Sequence, residues 1–105
     1  MRFVETPVFT RTLRTHMPDE EYRALQLALV LRPEQGALIP GGSGLRKVRW
    51  GGKGRGKRGG FRVIYYWELK SETIYMLYLY SKNEQSDLTP VQAKALGQLV
   101  RKELR

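Results

Sequence analysis

Two runs of alternating residues, Phe61 to Glu68 and Thr73 to Ser81, limit the possible folds of this chain more than any other feature. In the first, Phe61, Val63, Tyr65 and Trp67 fall on one face and Arg62, Ile64, Tyr66 and Glu68 on the other, the period of a β-strand. The second is dense in aromatic and aliphatic residues and follows the turn Lys70-Ser71-Glu72, so the pair reads as a hairpin. Leu45 to Trp50 alternates as well, with Val48 and Trp50 sharing a face with Arg46, and Lys47 and Arg49 sharing the other with Leu45. Three successive strands make an antiparallel meander.

Helices flank these strands. After a short strand-like opening at Arg2 to Glu5, Thr6-Pro7 supplies a capping hydroxyl and a proline suited to a first helical position. Pro18 followed by Asp19, Glu20 and Glu21 starts a second helix, whose Tyr22, Leu25 and Leu29 form an apolar side. The connection from Arg32 through Gly36 to Gly44 is expected to be irregular. Thr89-Pro90-Val91-Gln92 opens a final helix with a capping box, and Ala93, Leu96, Leu99, Val100 and Leu104 give it an apolar side. The expected class is α+β, in the order β-α-α-β-β-β-α, as one domain over residues 1–105. The helices are expected to cover one face of an antiparallel sheet and leave the other open.

Charge is concentrated rather than spread. The formal net charge is +9, and the run Arg46 to Arg62 holds eight of the nineteen lysines and arginines with no carboxylate. Nine of the eleven glycines lie between Gly41 and Gly60, so this region brings cations and bare backbone together, as phosphate binding requires. Lys47, Arg49 and Arg62 sit on the strands where the loop meets the sheet; Lys53, Arg55, Lys57 and Arg58 belong to the loop. Tyr66 and Tyr80 are candidates for stacking on bases from an open sheet face. With no cysteine and one histidine, neither a disulfide nor a zinc site is expected. No apolar run is long enough to span a bilayer, and the reading is a cytoplasmic protein.

Other motifs carry less. Gly54-x-Gly56-x-x-Gly59 and Gly51-x4-Gly56-Lys57 match nucleotide-binding patterns, but a strand follows where both mechanisms need a helix N-terminus. His16 reads as a surface residue between two helices. Glu84 and Asp87 stand near the end of the last strand, where they can buffer the cations.

Leu45-Arg46-Lys47-Val48-Arg49, Gly60-Phe61-Arg62-Val63-Ile64-Tyr65-Tyr66 and Tyr80-Ser81-Lys82-Asn83-Glu84-Gln85-Ser86-Asp87-Leu88-Thr89 together resemble the RelE superfamily of bacterial toxins (RelE, ParE and HigB), most closely its HigB-like branch. The resemblance implies a type II toxin–antitoxin system toxin, a ribosome-dependent mRNA endoribonuclease (mRNA interferase) that inhibits translation. It also implies mRNA and the ribosome as targets, a cognate antitoxin as partner, and operator DNA only through the antitoxin complex. Carried over by position, it implies catalytic roles for Lys47, Arg49, Arg62 and Lys82, and RNA or ribosome contacts for Arg46, Lys53, Arg55, Lys57, Arg58, Tyr66, Tyr80 and Asn83. Asn83 and Thr89 stand where relatives carry an arginine and a tyrosine.

Cleavage of this kind uses the RNA's own 2′-OH and needs no metal or cofactor. Arginines would stabilise the phosphorane, and Lys47, among like charges, would carry the proton. The alternatives are a ParE-like gyrase inhibitor, a catalytically dead regulator, and a plain RNA- or ribosome-binding module.

Overall fold

A computed structural model of the chain describes residues 1–51 and 60–104. Strand β1 (Arg2–Glu5) leads into helices α1 (Pro7–His16) and α2 (Asp19–Leu31). Next come β2 (Ala37–Leu38), β3 (Arg46–Trp50), β4 (Phe61–Glu68) and β5 (Thr73–Ser81). Helix α3 (Pro90–Leu99) continues as a π-helical segment, Val100–Leu104. The α+β class and the order of the long elements are as the residue patterns predict. Two details differ. Ala37 and Leu38 pair with Lys47 and Arg46, putting a short edge strand inside the connection expected to be irregular. The sheet is also mixed: its order is β1-β5-β4-β3-β2, with β1 running parallel to β5 and the other pairs antiparallel. None of the helices among the described residues is long and apolar enough to cross a membrane.

The caps work as read. Thr6 Oγ1 accepts from the Phe9 amide at 3.0 Å and donates to the Leu77 carbonyl at 2.9 Å, so one side chain both starts α1 and ties it to β5. Thr89 and Gln92 complete a reciprocal capping box at the start of α3.

Both faces of the sheet are covered, which corrects the expectation of an open one. Phe9, Leu25 and Leu29 of α1 and α2 pack on Val48, Val63, Tyr65, Ile74 and Met76. On the opposite face Leu96, Leu99 and Val100 lie against Ile64, Leu77 and Tyr80. The reason is in β4 and β5: alternation leaves one apolar set per face, and a bulge between Ile64 and Tyr65 turns both Leu77 and Tyr78 toward α3. Burial of each such side chain is worth roughly 1.5–3 kcal/mol, so the second face recruits the amphipathic C-terminal helix rather than facing water.

Tyr65 locks the approach to β3. Its ring is fully buried, and its hydroxyl donates to the Pro33 carbonyl at 2.6 Å while accepting from the Gly36 amide at 2.9 Å. Burial pushes its acidity down, so the phenol remains a proton donor. A Cβ at Gly36 would stand 2.8 Å from the Tyr65 ring and 2.9 Å from its hydroxyl. Gly36→Ala should therefore destabilise the fold by about 2 kcal/mol, through overpacking and loss of the shared hydrogen bonds. A urea-unfolding midpoint equal to that of the parent would show that this contact does not hold the segment.

Candidate active site

The pairing of β3, β4 and β5 puts the strand cations side by side. Arg49 lies opposite Arg62, which lies opposite Tyr80; in the next row on the same face Lys47 lies opposite Ile64, and Ile64 opposite Tyr78. Two arginines directly across a ladder repel each other. Arg62 is also only 9% exposed. Its guanidinium makes one long contact, Nη1 to the Phe61 carbonyl at 3.5 Å, and among the described residues it has no carboxylate partner. A buried cation left in that state costs stability unless an anion completes it.

Gly60 is fixed by its backbone conformation. Its φ of +102° suits only glycine, and a Cβ there would lie 3.9 Å from Arg62 Nη1. The Gly60 carbonyl accepts from the Lys82 amide at 3.3 Å, bringing the turn after β5 to the start of β4. Lys82 and Asn83 are exposed at this end of the sheet.

Lys47 is held differently. Its Nζ donates to Asp87 Oδ1 at 3.1 Å, and the same oxygen accepts from the Leu88 amide at 2.8 Å. These contacts, the lysine's first, hold the Asp87 carboxyl below the usual carboxylate range. The turn that carries Asp87 is braced by amides. Gln85 Nε2 donates to the Asp87 carbonyl and to Gln92 Oε1, Gln92 Nε2 donates to the Tyr78 hydroxyl, and that hydroxyl donates back to Gln85 Oε1.

Tyr80 completes the row. Its side chain is 2% exposed, and its hydroxyl makes no hydrogen bond of good geometry among the described residues. Desolvation first, and then the Asp87 charge, raise the hydroxyl's pKa, while Arg62 pulls the other way. It is therefore a protonated donor set between a carboxylate and a guanidinium. Its ring packs against the cluster beneath α3, which corrects the expectation that it stacks on bases.

The remaining candidates are dispersed. Arg46 faces the other side, where its Nη1 donates to the carbonyls of Glu34 and Gly36, bracing the segment before β2. Tyr66 is half-buried and stacks on Tyr75 with ring centroids 6.4 Å apart. Four residues beyond Arg62, it stands roughly 13 Å further along β4. Lys53, Arg55, Lys57 and Arg58 lie outside the described residues, as do both nucleotide-type glycine patterns apart from Gly51. Among the described residues no group of three or more His, Cys, Asp and Glu side chains is placed to hold a metal ion.

Residue reading missed the brace formed by Gln85 and Gln92 and the position of His16. His16 Nε2 lies 2.8 Å from Glu84 Oε2, with its ring edge-on to Phe61. Glu84 thus meets a histidine rather than the cation row. Nothing in the local pattern around His16 signals a partner 68 residues away.

The family model for the RelE toxin of the RelE / RelB toxin-antitoxin system matches residues 1–104. This chain belongs to the RelE toxin family. It is the toxin member of a toxin–antitoxin pair, and an antitoxin is the partner this membership implies. The row of Arg49, Arg62 and Tyr80, with Lys47 beside it, gathers three cations on one face of the described strands of this RelE-family toxin.

Two outcomes follow from these contacts. Tyr80→Phe keeps the ring and removes a buried hydroxyl whose contact with the Asp87 carboxylate is weak in geometry, so thermal stability should change little; a melting temperature lower by several degrees would show that this contact is a full hydrogen bond. Glu84 is depressed mainly by His16 and Asp87 mainly by Lys47. The stability they contribute is present above the unfolded carboxylate pKa and lost as pH falls through their lower folded values. The double variant Glu84→Gln, Asp87→Asn should therefore lose less stability between about pH 7 and pH 3 than the parent. Solvent screening holds each pair to about 1 kcal/mol or less, and chemical denaturation at the two pH values measures it.

Proposed function

We propose that this RelE-family toxin is an mRNA endoribonuclease acting on translating ribosomes in the cytoplasm, and that it cuts by attack of the RNA 2′-OH on the adjacent phosphorus. The observation that carries this reading is Arg62: a buried guanidinium with no carboxylate partner among the described residues, beside Arg49 and a buried hydroxyl. Such a site favours an oxyanion that gains charge during reaction, because its donors are already oriented and largely dehydrated.

In this mechanism the scissile phosphate lies across Arg49 and Arg62, which stay protonated and hold the non-bridging oxygens. The 2′-oxygen bonds to phosphorus as its proton leaves, and the bond to the 5′-oxygen breaks as that oxygen gains a proton. The products are a 2′,3′-cyclic phosphate and a 5′-hydroxyl end. Lys47 is the proton carrier, freed from Asp87 when the phosphate arrives, and the Tyr80 hydroxyl adds a donor to the phosphate. Lys82 and Asn83, at the same end of the sheet, would contact the neighbouring RNA. Lys53, Arg55, Lys57 and Arg58 would hold mRNA or ribosomal RNA phosphates and set the salt dependence of binding. Arg46, already committed to two carbonyls, is assigned to the fold instead, and Tyr66 stands apart from the row.

Cell-free translation followed by primer extension tests the proposal. New 5′ ends should appear in translated messages, and Arg62→Ala should lower their rate by about 10²–10³-fold, the usual effect of removing one such donor. Intact messages with the parent protein, or equal cleavage by the Arg62→Ala variant, would overturn it. RNA binding with a steep salt slope and no new ends would identify a binding module instead.

A further inference from the structure

Beside Lys47 the structure holds a cavity of about 240 Å³ that the cation row does not account for. One wall is Leu38, Ile39 and Pro40, on and just after the edge strand; the other is Leu88 and Ala93, at the start of α3. Its polar rim is the Lys47 amine and the Asp87 carboxylate. Leu38 is 59% exposed, an apolar side chain standing at the solvent edge of this opening.

We infer that this cavity is a nucleobase subsite for the nucleotide whose phosphate lies on Arg49 and Arg62, and that it favours bases carrying an exocyclic amine over uracil. The inference rests on the proposed placement of phosphate on that row. Four observations carry it. The volume lies below the range of pockets built for drug-sized ligands and suits a single ring system. Two apolar walls can hold the faces of a planar base. Lys47 is two residues from Arg49 along β3, about 7 Å, a span that one nucleotide bridges. The sheet tyrosines, finally, do not offer the base a place: Tyr80 is buried and Tyr66 is remote from the row.

The rim sets the preference. A carboxylate accepts hydrogen bonds and repels carbonyl oxygens, so Asp87 suits an amino group such as cytosine N4 and disfavours uracil, whose single N–H lies between two carbonyls. Lys47, committed to the phosphate as proton carrier, leaves Asp87 as the group that reads the base edge. Cytosine and uracil have the same ring size, which makes them a clean pair.

Calorimetric titration of the full-length toxin with 3′-CMP, 3′-UMP and inorganic phosphate tests this without requiring cleavage. 3′-CMP should bind at least tenfold more tightly than phosphate and several-fold more tightly than 3′-UMP. Ala93→Met, which fills the cavity away from the cations, should reduce 3′-CMP to within about twofold of phosphate while leaving phosphate itself unchanged. Leu38→Ala, at an exposed position, should give a smaller loss in the same direction and serves if the methionine variant does not fold. Asp87→Asn should erase the difference between 3′-CMP and 3′-UMP. Equal binding of nucleotide and phosphate by the parent, or a tenfold advantage that survives Ala93→Met, would overturn the subsite. Nucleotide preference without cleavage of translated mRNA would sustain the subsite and defeat the nuclease reading; absence of both phosphate and nucleotide binding would defeat the placement of phosphate and the subsite together.

Discussion

Arg62 is the constraint around which the molecule is arranged. An arginine only 9% exposed, opposite a second arginine, is disfavoured by desolvation and like-charge repulsion. It persists because its strand cannot turn. Phe61, Val63 and Tyr65 are fixed against α1 and α2, and Ile64 is fully buried beneath α3, so a one-residue slip would drive Arg62 and Glu68 into the core beneath α1 and α2 and undo the packing on both faces. At roughly 1.5–3 kcal/mol for each fully buried apolar side chain, a few such neighbours outweigh the cost of Arg62. The core thus holds Arg62 in place, although the cation itself opposes folding.

The C-terminal helix has two functions in this arrangement. Its apolar side closes the second sheet face, and its capping residue Gln92 is part of the hydrogen-bonded ring with Gln85 and Tyr78 that fixes the turn bearing Asp87. A side chain that starts the helix therefore also positions the partner of Lys47. On the other side of the site, Tyr65 and Arg46 hold residues 33–36 through backbone carbonyls and an amide, which sets where β2 and the following residues stand. Helix start and edge strand are separately braced, and the small cavity beside Lys47 lies between them.

The residues show how far sequence reaches. Period-two patterns in β3, β4 and β5 are local, so they put Lys47 and Arg49 on one face of β3 without knowledge of the fold, and capping at Thr6 and Thr89 is local too; that Arg62 shares their face comes from the strand register. The covering of the second face is the opposite of the expectation that all the helices share one face, yet it follows from Ile64, Tyr78 and Tyr80, which are too apolar to be left in water. What alternation alone does not give is the bulge that turns Leu77 and Tyr78 to the same side, the parallel return of β1, or contacts such as Lys47 with Asp87 and His16 with Glu84. These join positions 40 and 68 residues apart, and nothing in either neighbourhood specifies the other. Tyr80 shows the same limit from a different direction, since its residue type suggested a stacking ring while its register made it a buried hydroxyl.

The two kinds of cation in the site divide binding from readiness. Lys47 has a resting partner, but Asp87 is 67% exposed, and an ion pair in that setting is worth about 1 kcal/mol or less. In the proposed mechanism, exchanging it for an RNA phosphate would be close to neutral, so Lys47 would be released without a large barrier and would contribute little net affinity. Arg62 has no carboxylate partner among the described residues, so in the proposed mechanism a phosphate arriving there would offset part of the cost of its burial. Affinity in that mechanism would come mainly from Arg62, and Lys47 would be left to transfer a proton. A carboxylate beside Arg62 would make the fold more stable and remove that advantage, which is the physical reason for the row to stay uncompensated.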